Sequence, residues 1–187
     1  MAVQKLVICE KPSVGVNIAA VLNAKERGDG FFYGNNYVVT WCYGHLVELA
    51  DAEFYDEKYR KWTLDDLPII PATWQYTALP DKKGQLNIIE DLMKRADVDE
   101  IINVCDAGRE GELIFRVIYN FCHCVKPVKR LWISSLEESA IIDGFKNLRD
   151  GSEYDNLYKS ARCRQCADWI VGYPRKEFIR VRYGRMA

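Results

Sequence analysis

Residues 100–121 read Glu-Ile-Ile-Asn-Val-Cys-Asp-Ala-Gly-Arg-Glu-Gly-Glu-Leu-Ile-Phe-Arg-Val-Ile-Tyr-Asn-Phe, and this stretch decides the fold. Its first part, Glu100–Cys105, is an apolar run of strand length. Its second part, Arg109–Phe121, puts Leu113, Ile114, Val117, Ile118 and Phe121 on one helical face. Between them Asp106, Gly108 and Gly111 form a turn in which glycine lets the backbone bend tightly and approach a ligand. The same order recurs near the N-terminus. Lys5–Cys9 is a buried strand, Glu10 follows it, and a helix runs from Pro12 to about Leu22, with proline in the first turn where a missing N–H does no harm. Strands separated by helices predict an α/β fold with a mainly parallel sheet and right-handed crossovers. The functional crevice of such sheets lies beyond the carboxyl ends of the strands. If the strands ending at Cys9 and Cys105 are neighbours, Glu10 and Asp106 share one edge.

The other segments fit this plan. Phe31–Tyr33 and Tyr37–Cys42, joined by Gly34-Asn35-Asn36, predict a hairpin. Residues 48–73 are rich in charge, aromatics and proline and predict a long surface connection. A helix is expected over Gln85–Arg95 and a strand over Arg130–Ile133. Ser135 and Glu138 have capping-box spacing at the start of a helix carrying Ile141, Ile142, Phe145 and Leu148. A final helix is expected from Tyr154 to Tyr173, stopped by Pro174.

Composition narrows the class. Hydrophobic residues make up 49% and charged residues 28%, which excludes a disordered or fibrous chain. The formal net charge is only −1, but it is unevenly spread. Residues 159–187 hold eight basic side chains against Asp168 and Glu177, leaving a net −7 on the rest. An acidic body with a basic end predicts a polyanion contact in that end, or else an exposed helix face. Seven cysteines, an odd count with no export signal, predict reduced thiols in a cytoplasmic protein. No window approaches a membrane span, so no membrane partner is expected.

Glu10, Asp106 and Glu110 would repel one another at a shared edge unless a cation sat among them. Hard oxygen ligands with room for water suit Mg²⁺, which takes one or two carboxylates plus substrate phosphate. The same spacing is also that of ordinary charges at a helix start, with Glu110 and Glu112 in the first turn. Lys11 and Ser13 beside Glu10 are suited to holding a phosphate, although Lys11 could equally be solvated.

Five blocks in order then carry a resemblance: Glu10-Lys-Pro-Ser13, Thr40-Trp-Cys-Tyr-Gly-His-Leu46, Asp106-Ala-Gly-Arg-Glu-Gly-Glu-Leu113, Arg130-Leu-Trp-Ile-Ser-Ser135 and Ala167-Asp-Trp-Ile-Val-Gly172. Together they span nearly the whole chain, and it resembles the N-terminal part of type IA DNA topoisomerases, nearest the bacterial topoisomerase III kind. The resemblance implies a Toprim-type, Rossmann-like sheet over residues 1–150 and the start of a helical DNA-binding domain over 151–187. It implies ATP-independent cleavage, passage and religation of a single strand. It makes Glu10 and Lys11 the catalytic pair, with Glu10 exchanging a proton at the cleaved phosphodiester and Lys11 neutralising the phosphate. It makes Glu10, Asp106 and Glu110 the Mg²⁺ ligands, with Gly108 standing where the family's middle acid belongs. The expected partners are single-stranded DNA and the remaining domains of the same enzyme. The family's nucleophilic tyrosine lies beyond the resembling region, so the 187 residues taken alone are expected to bind metal and DNA but to relax no DNA.

On the last helix, a wheel at 100° per residue gathers Cys163, Cys166, Ala167, Ile170 and Val171 in an apolar arc. It leaves Arg162, Arg164, Gln165, Asp168 and Trp169 opposite. Arginines beside an indole suit phosphates and stacked bases, and the resemblance implies that this helix holds single-stranded DNA, so Arg162, Arg164 and Trp169 are DNA-binding candidates, with Lys11 from the resembling Glu10 block and Trp62 in the charged loop as the others. An Arg164–Asp168 surface pair with a packed Trp169 is the other reading of the same face. Past Gly172, Glu177 stands about where the family has an arginine, with Arg175 and Lys176 beside it. A four-thiolate zinc site from Cys122, Cys124, Cys163 and Cys166 is disfavoured, because the wheel turns the last two inward. His45 is expected to make a structural hydrogen bond. Alternatives are another Toprim enzyme (a primase or nuclease) or a non-catalytic metal- or nucleotide-binding α/β module. The glycine-rich turn lacks the dinucleotide-binding spacing that the last would favour.

Overall fold

The computed structural model describes residues 3–61 and 63–183, with side chains as far as Gly172 apart from Leu64. Strand β1 (Gln4–Cys9) is followed by helix α1 (Pro12–Val21), and β2 (Glu26–Arg27), β3 (Phe31–Gly34) and β4 (Tyr37–Trp41) form a meander. Then come β5 (Val47–Leu49), α2 (Ala52–Tyr55), β6 (Tyr76–Ala78), α3 (Lys83–Lys94), β7 (Val98–Val104) and α4 (Arg109–Phe121). The chain continues through β8 (Val128–Arg130), α5 (Glu138–Lys146), β9 (Arg149–Asp150) and α6 (Asp155–Tyr183).

The main sheet has the order β2-β3-β4-β1-β7-β8-β9, with β4, β1, β7 and β8 parallel and the outer strands antiparallel. Strand β1 is central, so its apolar residues are covered on both faces. Leu6 and Ile8 pack with Leu86, Ile89, Ile114 and Ile118 under α3 and α4, and Val7 and Cys9 pack with Ile18 and Ile141 under α1 and α5. Each such side chain removed from water contributes about 1.5–3 kcal/mol. The β3–β4 turn places Asn35 and Asn36 at positive φ, a conformation asparagine tolerates well. No helix among the described residues is long and apolar enough to cross a membrane.

Several elements depart from the sequence expectation. Strand β8 stops at Arg130 rather than covering 130–133, because its partner β7 ends at Val104 and offers no edge beyond. The connection expected over 48–73 carries secondary structure of its own: β5 at its start pairs with β6 just beyond its end in a separate ribbon, and α2 follows β5. Ser135 forms no box with Glu138; it accepts a hydrogen bond from the Glu137 N–H, and the reciprocal box is made by Asp150 and Glu153 instead. Helix α6 runs through Pro174, since proline removes one hydrogen bond and kinks a helix without having to end it.

The buried face of α6 is also rotated: Cys166 and Ile170 are half-buried and Arg162, Arg164 and Asp168 exposed as expected, but Gln165 and Trp169 turn inward with Ala161. Ala161 is buried against the α4 side, Gln165 accepts from Tyr76 Oη at 2.8 Å, and Cys163, Ala167 and Val171 are exposed. Anchors at the start of the helix set its rotation. Arg116 bridges to Asp155 at 2.6 Å, and Tyr154 stacks on Trp132 at 4.9 Å.

Candidate functional site

Strands β1 and β7 are parallel neighbours with Cys9 opposite Val104, so the residues that follow each strand leave the sheet side by side. The Asp106 N–H donates to Glu10 Oε2 at 3.2 Å. The Lys11 ammonium lies 3.1 Å from Asp106 Oδ2 and 3.7 Å from Glu10 Oε1. The Asp106 carboxylate foremost, then that of Glu10, holds this ammonium above the usual lysine range. Glu10 is nearly buried, whereas the Asp106 and Glu110 side chains stand 57% and 70% exposed. One acid is thus fixed in the wall and two reach into solvent.

Glu110 sits in the first turn of α4 and meets the loop after β4, where His45 Nε2 donates to its Oε1 at 2.5 Å. That loop is tied down twice. Lys82 Nζ donates to the carbonyls of Tyr43 and His45 at 2.9 Å each, and the Gly44 N–H donates to the Glu10 carbonyl at 3.2 Å. Gly44 has φ +66°, a conformation that favours glycine.

The Asp106 turn is braced from behind by Arg130, a fully buried guanidinium. It donates to the carbonyls of Cys105 at 2.6 Å and Asp106 at 2.8 Å, and pairs through Nε with Glu112 at 3.2 Å. Glu112 also holds Arg116 at 2.9 Å. It is therefore a buried structural acid rather than a surface charge at the helix start. Of the two glycines in the turn, Gly111 is the constrained one: a Cβ there would lie 2.2 Å from the Asp106 carbonyl oxygen. Gly108 has extended backbone, and a Cβ there would meet nothing, so conformation does not require glycine at that position.

Glu10, His45, Asp106 and Glu110 line one cleft of about 480 Å³, and its far wall is helix α6, which contributes Arg164, Gln165 and Asp168. Among the described residues, no group of three or more His, Cys, Asp or Glu closes on one point. The donors present therefore do not form a dedicated cage. They fit a hydrated Mg²⁺, which keeps several waters and takes only one or two carboxylates from the protein. Buried thiols do not fit: burial pushes Cys9 well above the ordinary thiol value, and Cys105 is pushed up first by its hydrogen bond with Cys42 and then by burial.

A family model described as the Toprim domain matches residues 5–136. The chain belongs to the Toprim family. Its Toprim region is part of a longer similarity. The chain is 50% identical over 169 residues to DNA topoisomerase 3 of Bacillus thuringiensis (strain Al Hakam), and 48% identical over 167 residues to that of Bacillus subtilis (strain 168). These matches cover 90% and 89% of this chain but 23% of each relative. The chain thus spans about a quarter of the length of those curated relatives. The full-length topoisomerase I of Thermotoga maritima shares the fold with a TM-score of 0.63 at 22% identity, covering 94% of this chain and 26% of that one.

The remaining candidates distribute unequally around the Toprim cleft. Arg164 is in it, with Nε 3.5 Å from Asp168 Oδ2. Arg162 is not; it lines a separate groove with Trp74, Tyr76, Asn120 and Tyr158. Trp169 is half-buried, its ring 5.3 Å from Trp74 and 6.2 Å from Tyr55, both edge-on, so it packs against neighbouring aromatics. Trp62 lies outside the described residues. The wheel argument about the thiols is also corrected, since Cys163 is exposed. The sequence reading missed Arg130 as the brace of the turn, and it expected a hydrogen bond from His45 without naming Glu110 as the partner. The first had a signal, a charge inside a strand-like run. The second had only the Gly-His step of a resembling block.

Proposed function

We propose that the chain is the Mg²⁺-binding Toprim segment of a type IA DNA topoisomerase of the topoisomerase III kind, acting on single-stranded DNA. In this reading residues 1–150 are the Toprim domain and 151–187 begin a helical DNA-binding domain. The family match to 5–136 and the cap formed at Asp150 support that division. The observation that carries the reading is the convergence of Glu10 and Asp106 around Lys11 at the carboxyl edge of adjacent parallel strands. It occurs in a chain half identical to DNA topoisomerase 3 relatives.

Asp106 and Glu110, with Glu10, would hold the ion. When bound it supplies positive charge to phosphate oxygens. Glu10 exchanges a proton with the sugar oxygen at the cleaved phosphodiester; its carboxylate is held in place by the Asp106 N–H. Lys11 offers an ammonium to the same phosphate, and Arg164 on the opposite wall takes a neighbouring one. Cleavage, strand passage and religation belong to this reading of the longer relatives, and the protein is placed with the DNA in the cytoplasm.

The test is fluorescence anisotropy with a single-stranded and a duplex oligonucleotide across a salt series. The reading expects salt-sensitive binding that favours the single strand. Binding of free nucleotides with no affinity for either oligonucleotide would overturn it.

A further inference from the structure

Each cleft acid already has a partner from this chain. Glu10 Oε2 accepts from the Asp106 N–H, Glu110 Oε1 accepts from His45, and Lys11 spans Glu10 Oε1 and Asp106 Oδ2. A dication attracted to Glu10 and Asp106 must share their oxygens with an ammonium a few ångströms away, and like charges at that range repel. Of the two cations, Lys11 is free to move. Its side chain is 54% exposed on a flexible stem, and although it stands at the N-cap of α1 its side chain caps nothing.

We propose that Lys11 is an exchangeable cation: Mg²⁺ entering between Glu10 and Asp106 expels the Lys11 ammonium, which then takes a DNA phosphate. The ion frees the lysine for the phosphate. By linkage, a phosphate that holds the lysine outside strengthens ion binding by the same factor. Without DNA, Lys11 competes with the ion for the two acids. The two binding events are thereby coupled through one side chain. The inference rests on the reading of the cleft as a divalent-ion site.

Isothermal titration of Mg²⁺ into the chain and its Lys11→Met variant tests it. Methionine keeps the length of the stem and removes the charge, and circular dichroism checks that the fold is retained. The variant is expected to bind Mg²⁺ on the order of tenfold more tightly, for one unit charge removed at roughly 4 Å. In parallel, Mg²⁺ should strengthen single-stranded oligonucleotide binding by the wild type more than by the variant, whose only gain is from the ion's own charge. Equal or weaker Mg²⁺ affinity in Lys11→Met overturns the exchange and leaves the ion site standing. Absence of saturable Mg²⁺ binding in both proteins overturns the exchange together with the reading of the cleft.

Discussion

The backbone N–H of Asp106 donates to the side chain of Glu10 at 3.2 Å, so the turn after one strand orients the acid that ends its neighbour. Displacing that turn therefore moves two carboxylates at once. Gly111→Ala does this most directly, because its Cβ would lie 2.2 Å from the Asp106 carbonyl oxygen. We expect a loss of about 1–3 kcal/mol by denaturant unfolding, the usual cost of overpacking, together with weaker Mg²⁺ binding. Gly108→Ala, whose Cβ meets nothing, should show neither effect.

Gly108→Asp asks the complementary question. Added to open space beside Glu10, Asp106 and Glu110, a further carboxylate should raise Mg²⁺ affinity on the order of tenfold by titration calorimetry. Unchanged affinity would mean that the ion is held elsewhere.

Removing the brace leaves a charge behind. Arg130→Ala takes one of two cations from Glu112, which is 1% exposed, and leaves it Arg116 and Asn103 as partners among the described residues. Breaking a buried pair from one side costs about 3–5 kcal/mol, so a large drop in melting temperature is expected. Replacing Arg130 and Glu112 together by apolar residues should recover part of the loss.

The two aromatic-and-arginine candidates on α6 should separate by assay. Arg164→Ala should weaken single-stranded oligonucleotide binding several-fold and reduce the salt slope by about one. Trp169→Ala should mainly lower stability, as its ring packs on Trp74 and Tyr55.

Acid should loosen the 3-10 turn Gly151–Tyr154, which leads into α6, late. Hydrogen bonds from Ser152, then from Lys129, hold the Asp150 carboxyl at about 2. A depressed folded value contributes stability that is full above the unfolded value near 3.8 and is lost as the pH falls through about 2. Acid titration of the 151–154 amides by NMR should show a transition in the wild type as the pH falls through about 2, and no such transition in an Asp150→Asn variant, which has no carboxylate to protonate.

The central part of this architecture was legible because it is carried by local pattern. The runs at Lys5–Cys9 and Glu100–Cys105 read as strands by length and β-branched content, and Glu10 and Asp106 follow them directly in the chain. What escaped was set by distant partners. The rotation of α6 depends on Arg116, Trp132, Tyr55 and Trp74, none of which its own periodicity contains. The ending of β8 depends on where β7 turns away. The roles of Arg130 and His45 lie in contacts across 24 and 65 residues of sequence, to Asp106 and Glu110 respectively. Capping-box spacing occurs at both Ser135 and Asp150, and only the second has the backbone geometry to close it.

Paramagnetic broadening by Mn²⁺, standing in for Mg²⁺, locates the ion without any enzymatic readout. In an amide-resolved NMR spectrum the signals of Glu10, Lys11, His45 and residues 106–111 should vanish first at low Mn²⁺. Persistence of those signals while the separate acidic groove of Asp51, Glu53 and Glu57 broadens would contradict the account.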